Sequence, residues 1–509
     1  MADWIGYRWL AGTYGIEPVQ PFRIDSQIGR SRSTVREHGL THQQYVAAAR
    51  PDDTLPGHLT FALRHEGVHL EFLSRLFAAI EPAELETWIA EEPTGQYARR
   101  ACFLYEWLTT RELHFPGVTA GNYVNALDPE ACLTASAPVN NPRWRVRDNL
   151  PGVRDYCPMI SRTPPVRAAE SYDCGRELLR LEQDFGIDLL MRSAVWLTVK
   201  ESRASFAIEH EEQHTDRVQR FAAVMERRCG TWAAPLLPEH LTELQTEILG
   251  PRATRYGIRQ SPVFVGEDGF HTPVIHYIAP HWHETPAMLA GLQAFDDKTR
   301  GMAPIVRAAA ISFGFVYIHP LADGNGRLSR FLVNDVLRRD GAVPAPFILP
   351  LSATIMATAH TRRGYDQVLE VFSKPLLAKY GAAYRFGPRQ VGADGVAYNF
   401  EFEAYADANH AWRYPDLTAH TEYLGDVIQA TIGHEMRAEA GLLRTLRTAR
   451  EAVKNVLDGP DRDIDRIIRA VREHGGRISG KLRREFPVLA DSELAAAVVQ
   501  AINDVFTAE

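Results

Sequence analysis

The chain has 509 residues, of which 45% are hydrophobic and 24% charged, and its net charge is −8. That length exceeds what one core can serve and predicts three or four domains of about 100–200 residues each. The acidic balance excludes a global attraction to nucleic acid, and no apolar run approaches the roughly 18–20 residues of a membrane span.

Five cysteines, widely spaced and without a CxxC, predict reduced thiols rather than a disulfide frame. The opening MADWIGYRWLAGTYGIE lacks a basic stretch followed by an apolar one, so a secretory signal is not expected and a cytoplasmic setting is. Residues 1–130 read as an N-terminal helical region, with helical spacing in LTFALRHEGVHLEFLSRLFAAI and ARRACFLYEWLTTREL. Residues 131–170 scatter prolines and asparagines without a steady period and read as an irregular connector wrapping a neighbouring domain. Helical pattern resumes over 171–230. From 231 to 425 a hairpin, YGIRQSPVFVGEDGFHTPVIHYIAP, precedes helices at PAMLAGLQAFDDKTR and PIVRAAAISFGFVYIHP. A helical linker over 426–460 ends at DGPDR, and 461–509 form a small helical module. The expected fold is mainly α with a minor hairpin.

The most informative stretch is HPLADGNGRLSR, His319 to Arg330. Helical spacing before it (Val306, Ala309, Phe313, Tyr317) and after it (Leu328, Phe331, Leu332, Val336) makes it a loop joining two buried helices. Gly324 and Gly326 can take positive φ and turn successive N–H groups, Asn325 among them, into one concavity at a helix N-terminus, where anions bind. Arg327 and Arg330 share one face of the first turn; two cations there oppose the helix dipole and each other, which a polyphosphate resolves. Asp323 is a hard oxygen ligand suited to Mg²⁺, and His319 is the group able to take a proton near neutral pH. Together these describe phosphoryl or nucleotidyl transfer to a nucleophile.

The same twelve residues resemble the signature of the Fic (Fido) family, HPFx[D/E]GNGRxxR, with Leu321 in place of the usual phenylalanine. The resemblance extends over roughly 195–425 and implies a Fic helical core with a β-hairpin flap. It implies transfer of AMP from ATP to a Ser, Thr or Tyr hydroxyl of a target protein. His319 is then the base, and Asp323 holds Mg²⁺. Gly324, Asn325 and Gly326 cradle phosphates, and Arg327 and Arg330 bind the outer ones. Tyr365, in GYDQVLE, falls where the family often has an aromatic beside the adenine. Gly257, Ile258, Arg259, Val263, Phe264 and Val265 fall in the flap, which docks an extended target segment by β-augmentation. Ser205 and Glu209, in SFAIEH, resemble the family's inhibitory motif [S/T]xxxE[G/N], with His210 departing from Gly or Asn. The implied role is for Glu209 to pair with Arg330 in the γ-phosphate subsite. Self-modification and a homo-oligomer are compatible with this reading, which leaves the target and even the transferred group open.

Two other functions compete. HEGVH (His65–His69) and HEEQH (His210–His214) satisfy the HExxH pattern of zinc metalloproteases. The module at 461–509 resembles a winged-helix-like helix-turn-helix, with Arg477, Lys481, Arg483 and Arg484 as phosphate contacts, which would make the protein a nucleic-acid-binding regulator.

Overall fold

Helix starts follow cap chemistry written in the sequence. Thr54 accepts a bond from the Gly57 N–H ahead of Leu55–His65, Thr163 from Val166 ahead of Pro164–Ser171, and Asp173 from Arg176 ahead of Cys174–Phe185. Proline occupies the first turn of Pro82–Glu91, Pro238–Leu249 and Pro304–Ile318, where its missing N–H costs nothing. The computed structural model describes residues 3–37, 39–211, 213, 215–250, 255–267 and 273–507. It is mainly α-helical with four small sheets. Among the described residues no helix is long and apolar enough to cross a membrane.

The central core is built on Pro304–Ile318, a helix buried around nearly its whole circumference. It packs against Thr285–Lys298, Asn325–Arg339 and Thr418–Ala430. Glycine permits the closest approaches: a Cβ at Gly314 would stand 2.7 Å from the Tyr156 hydroxyl, and one at Gly291 would stand 2.6 Å from Tyr156 Cβ. Tyr156 comes from the segment expected to be an irregular connector. That segment is wound into the core: the Cys157 N–H donates to Arg413, Met159 to Pro415, and Leu417 back to Met159. Val139–Asn141 and Val146–Asp148 pair within it as part of a three-stranded sheet with Val124–Asn125.

The N-terminal region departs from a purely helical reading. Trp4–Ile5, Ile24–Ile28, Leu40–Tyr45 and Ser33–Glu37 form, in that order, a four-stranded sheet whose central pair is parallel. IDSQI, STVRE and LTHQQY carry too few apolar residues to show a period of two, and Ser33–Glu37 is exposed along its length. Behind this sheet, helices enclose a second core containing Phe72, Leu76, Trp88, Tyr105 and Trp144. A second hairpin, Tyr384–Val391 with Ala397–Phe402, also escaped the sequence reading. The C-terminal helices Asp461–Glu473, Gly480–Glu485 and Ser492–Thr507 close a third core with the end of Arg437–Lys454. Among the described residues no strand accompanies them, so the helix-turn-helix comparison lacks its wing.

A buried charge network joins the central helices. Asp296 pairs with Arg307 at 2.5 Å and with Arg339 at 2.8 Å, and Arg339 pairs with Asp335 at 2.8 Å. Arg307 is also paired with Asp340, so removing Asp296 takes one of two carboxylates from each of two buried cations and leaves their charge only partly compensated. Asp296→Ala should therefore destabilise the fold by about 3–5 kcal/mol, read as a large fall in the midpoint of thermal or urea unfolding. A change within about 1 kcal/mol would refute this account of the network.

Candidate functional site

Pro304–Ile318 ends at His319, which takes the left-handed conformation (φ 48°, ψ 57°) and donates its N–H to Phe315. Gly324 (φ 88°) turns the chain into Asn325–Arg339. Asn325 holds the loop between them: its side-chain amide donates to the Leu321 carbonyl at 2.7 Å and its oxygen accepts from the Leu321 N–H at 3.0 Å. The side chain is spent on the loop, which leaves only the Asn325 backbone to face an anion.

Sequence reasoning placed Arg259 on a surface for a target. The structure buries it to 1% exposure beneath the loop. Its Nε donates to the His319 carbonyl at 2.7 Å, Nη1 to Ser261 at 3.0 Å and Nη2 to Pro280 at 2.6 Å. Its backbone N–H donates to Pro320 at 2.9 Å, beside the bridge from Ile258 to Leu321. Gln245, which carried no sequence signal, adds a second tie. Its amide donates to the Asp323 carbonyl at 2.8 Å, and its oxygen accepts from the Gly257 N–H at 2.7 Å. The first leg of the hairpin is thus bolted to the loop through Gly257, Ile258 and Arg259.

The hairpin itself pairs Phe264–Glu267 with Val274–Ile278, with a bulge between Val265 and Gly266; its turn, 268–272, lies outside the described residues. Phe264 packs on Phe386 and Phe400 of the second hairpin, at centroid distances of 5.8 and 5.0 Å. The Val265 side chain stays exposed, and Val263 is half-buried.

Arg327 and Arg330 are both buried, and both are already occupied. The Glu209 carboxylate lies between them: Oε1 accepts from Arg330 Nη2 at 2.6 Å, and Oε2 stands 2.9 Å from Arg327 Nε as an ion pair without hydrogen-bond geometry. Arg330 also donates to the Ser205 hydroxyl at 2.6 Å and to its carbonyl at 2.9 Å. Arg327 reaches Glu211 at 3.0 Å and Asp323 at 2.7 Å, with its guanidinium over Phe206. A Cβ at Gly326 would stand 2.3 Å from Glu209 Oε1, so that glycine lets a carboxylate settle on the helix's first turn. This is an anion site filled by the protein's own acid. Glu211 is a partner that the sequence reading missed, although it lies in the same acidic run. His210 adopts φ 59°, the left-handed conformation that explains why Gly or Asn suits this position.

The remaining residues divide. The Asp323 side chain is half exposed, suited to a hard cation that phosphates help to hold. Tyr365 is buried beside Tyr423, with Arg362 over its ring. Arg477, Lys481, Arg483 and Arg484 are exposed on the C-terminal module. The HEGVH pair is split: His65 ends one helix, Gly67 turns the chain at φ 86°, and His69 caps the next helix by accepting from Phe72. The two histidines do not share a helical face. In HEEQH, His210 lies beyond its helix and His214 lies outside the described residues.

Burial and the nearby Arg259 charge hold the His319 imidazole down at about 4, so it is neutral at physiological pH and free to accept a proton. Removing that charge must raise the midpoint, while burial keeps it below the ordinary value near 6.5. Arg259→Met should therefore move the His319 titration, followed by NMR of ring-labelled protein, upward from about 4. Arg259→Lys keeps the charge and should leave the midpoint nearly in place. An unmoved midpoint in Arg259→Met would refute the electrostatic part of this account.

Residues 235–337 match the Fic/DOC family. Protein adenylyltransferase fic-1 of Caenorhabditis briggsae is 35% identical over 105 residues, 20% of this chain and 19% of that protein. A Fido domain-containing protein of Dictyostelium discoideum is 36% identical over 97 residues, 19% of this chain and 60% of that protein. The chain thus spans about a fifth of the first relative and less than two thirds of the second. A crystal structure of a Fic family protein from Desulfovibrio desulfuricans is 19% identical with a TM-score of 0.37, covering 66% of this chain and 89% of that one.

Proposed function

Starting from a Fic/Fido domain at residues 235–337, we propose that the protein transfers AMP from ATP to a hydroxyl side chain of a target protein and is held inactive by Glu209. The observation that carries the reading is one carboxylate lying between two buried arginines at a helix N-terminus, in the place a polyphosphate would take. The adenylyltransferase named above, 35% identical over 105 residues, supports the choice of nucleotide.

His319, neutral and held by Arg259, takes the proton of the attacking Ser, Thr or Tyr hydroxyl. That oxygen bonds to the α-phosphorus as the α–β phosphoanhydride bond breaks and pyrophosphate departs. The first-turn N–H groups from Asn325 onward stabilise charge developing on the phosphate oxygens, and Arg327 and Arg330 hold the outer phosphates. Asp323 would hold Mg²⁺, which neutralises charge on the phosphates when bound. The exposed Val265 and the edge of its strand supply the docking surface for an extended target segment. Tyr365 borders the space assigned to the adenine.

Glu209→Gly removes the competing carboxylate and leaves the loop untouched. Transfer to target and to the protein itself, followed by intact-mass analysis, should rise about tenfold or more, because about 1.4 kcal/mol of misplacement costs that factor. Glu211→Ala should raise it less, since Glu211 reaches only Arg327 of the two arginines. Glu209→Gly with Arg330→Ala should lose most of the gain, as both act through one pair. His319→Ala should retain nucleotide binding and lose transfer by about 10²–10⁴-fold or more. A flat response to Glu209→Gly would remove self-inhibition from the reading, and near-normal transfer by His319→Ala would remove the assigned base.

The partly buried imidazole also sets the pH response. With His319 held at about 4, protonation disables the base only in acid, so transfer should keep its rate through pH 6 and fall below about pH 5. A fall centred near 6.5 would show that the base is not held down in the working enzyme.

A further inference from the structure

The helix Ile187–Ile208 carries Ser205 and Glu209 at its inner end, yet its outer face near the other end is bare. Ile187, Met191, Val195 and Trp196 are 46%, 41%, 69% and 49% exposed. They recur at helical spacing within ten residues, and the half-buried Val199 continues the row. Single exposed apolar residues need no explanation, but a ridge of them every four residues, flanked by a tryptophan, marks a contact surface. The patch widens onto the adjoining helix Arg437–Lys454, where Leu442 is 40% exposed and lines a groove with Arg192.

The charges at the two ends of this face indicate its partner. Asp188 and Arg203 are both exposed, and neither has an ion pair among the described residues. They lie symmetrically about the midpoint between Val195 and Trp196. We propose that this face pairs with the same face of a second copy of the chain, helix antiparallel to helix, about a twofold axis passing between Val195 and Trp196. Each Val195 then meets the partner's Trp196. Each Asp188 meets the partner's Arg203, so the contact is self-complementary in shape and charge. A parallel pairing would set Asp188 against Asp188 and Arg203 against Arg203. The proposal rests on this surface alone and does not depend on the transferase reading.

Sedimentation velocity of the full chain over two decades of concentration should show a monomer–dimer equilibrium. Trp196→Ala and Val195→Glu, both at exposed positions, should weaken dimerisation by about tenfold or more, with unchanged circular dichroism and melting. Asp188→Arg and Arg203→Asp should each weaken it, and the double swap should restore it to within about threefold. A monomer at every concentration would overturn the proposal. So would a dimer indifferent to Trp196 and Val195, or single swaps that the double swap does not rescue.

Discussion

Two guanidinium groups buried at the positive end of a helix cannot stand without anions. Arg327 and Arg330 are 1% and 6% exposed, and both lie in the first two turns of Asn325–Arg339. Burial, the helix dipole and mutual repulsion all act against their charge, so the neighbourhood must supply carboxylates or a ligand that replaces them. Glu209, Glu211 and Asp323 do so here. The position of Ile187–Ile208, the turn at His210 and the orientation of the loop acid all follow from that requirement.

The other end of the loop follows a different rule. His319 ends its helix in a left-handed conformation, with its carbonyl turned to Arg259. Arg259 has no carboxylate partner among the described residues; it is satisfied by backbone carbonyls, with one bond reaching across the hairpin to Pro280. A buried cation held only by dipoles keeps its field, and that field falls on the imidazole. Fixing the hairpin and disfavouring the imidazolium are thus done by one side chain. Gln245 performs the first of these tasks without charge, tying Gly257 to Asp323.

The loop from His319 to Arg330 was legible because its groups are contiguous, and because their conflict of charges at a helix start has few purely structural explanations. The pairing of Glu209 with Arg330 was legible through a short motif at fixed helical spacing. Arg259 was assigned to the right segment but to the wrong surface, since sequence places a flap residue without saying which way it points. Gln245 and Glu211 act through contacts with residues 78 and 116 positions away, which no local pattern encodes. The N-terminal sheet was hidden by its polar strands. The connector concealed Tyr156, whose role appears only where Gly291 and Gly314 make room for it. What sequence conveyed was chemistry gathered within a dozen residues; what it withheld was chemistry assembled by packing.

His210 carries one further implication. A residue with a Cβ in the left-handed region is disfavoured by about 1–2 kcal/mol relative to glycine, and histidine tolerates the region better than most. That conformation accompanies the turn out of Ile187–Ile208 that presents Glu209 to the arginines. The turn that presents Glu209 is therefore less stable than the same turn built on glycine, and within the proposed self-inhibition residue 210 loosens the hold of that carboxylate on the arginines.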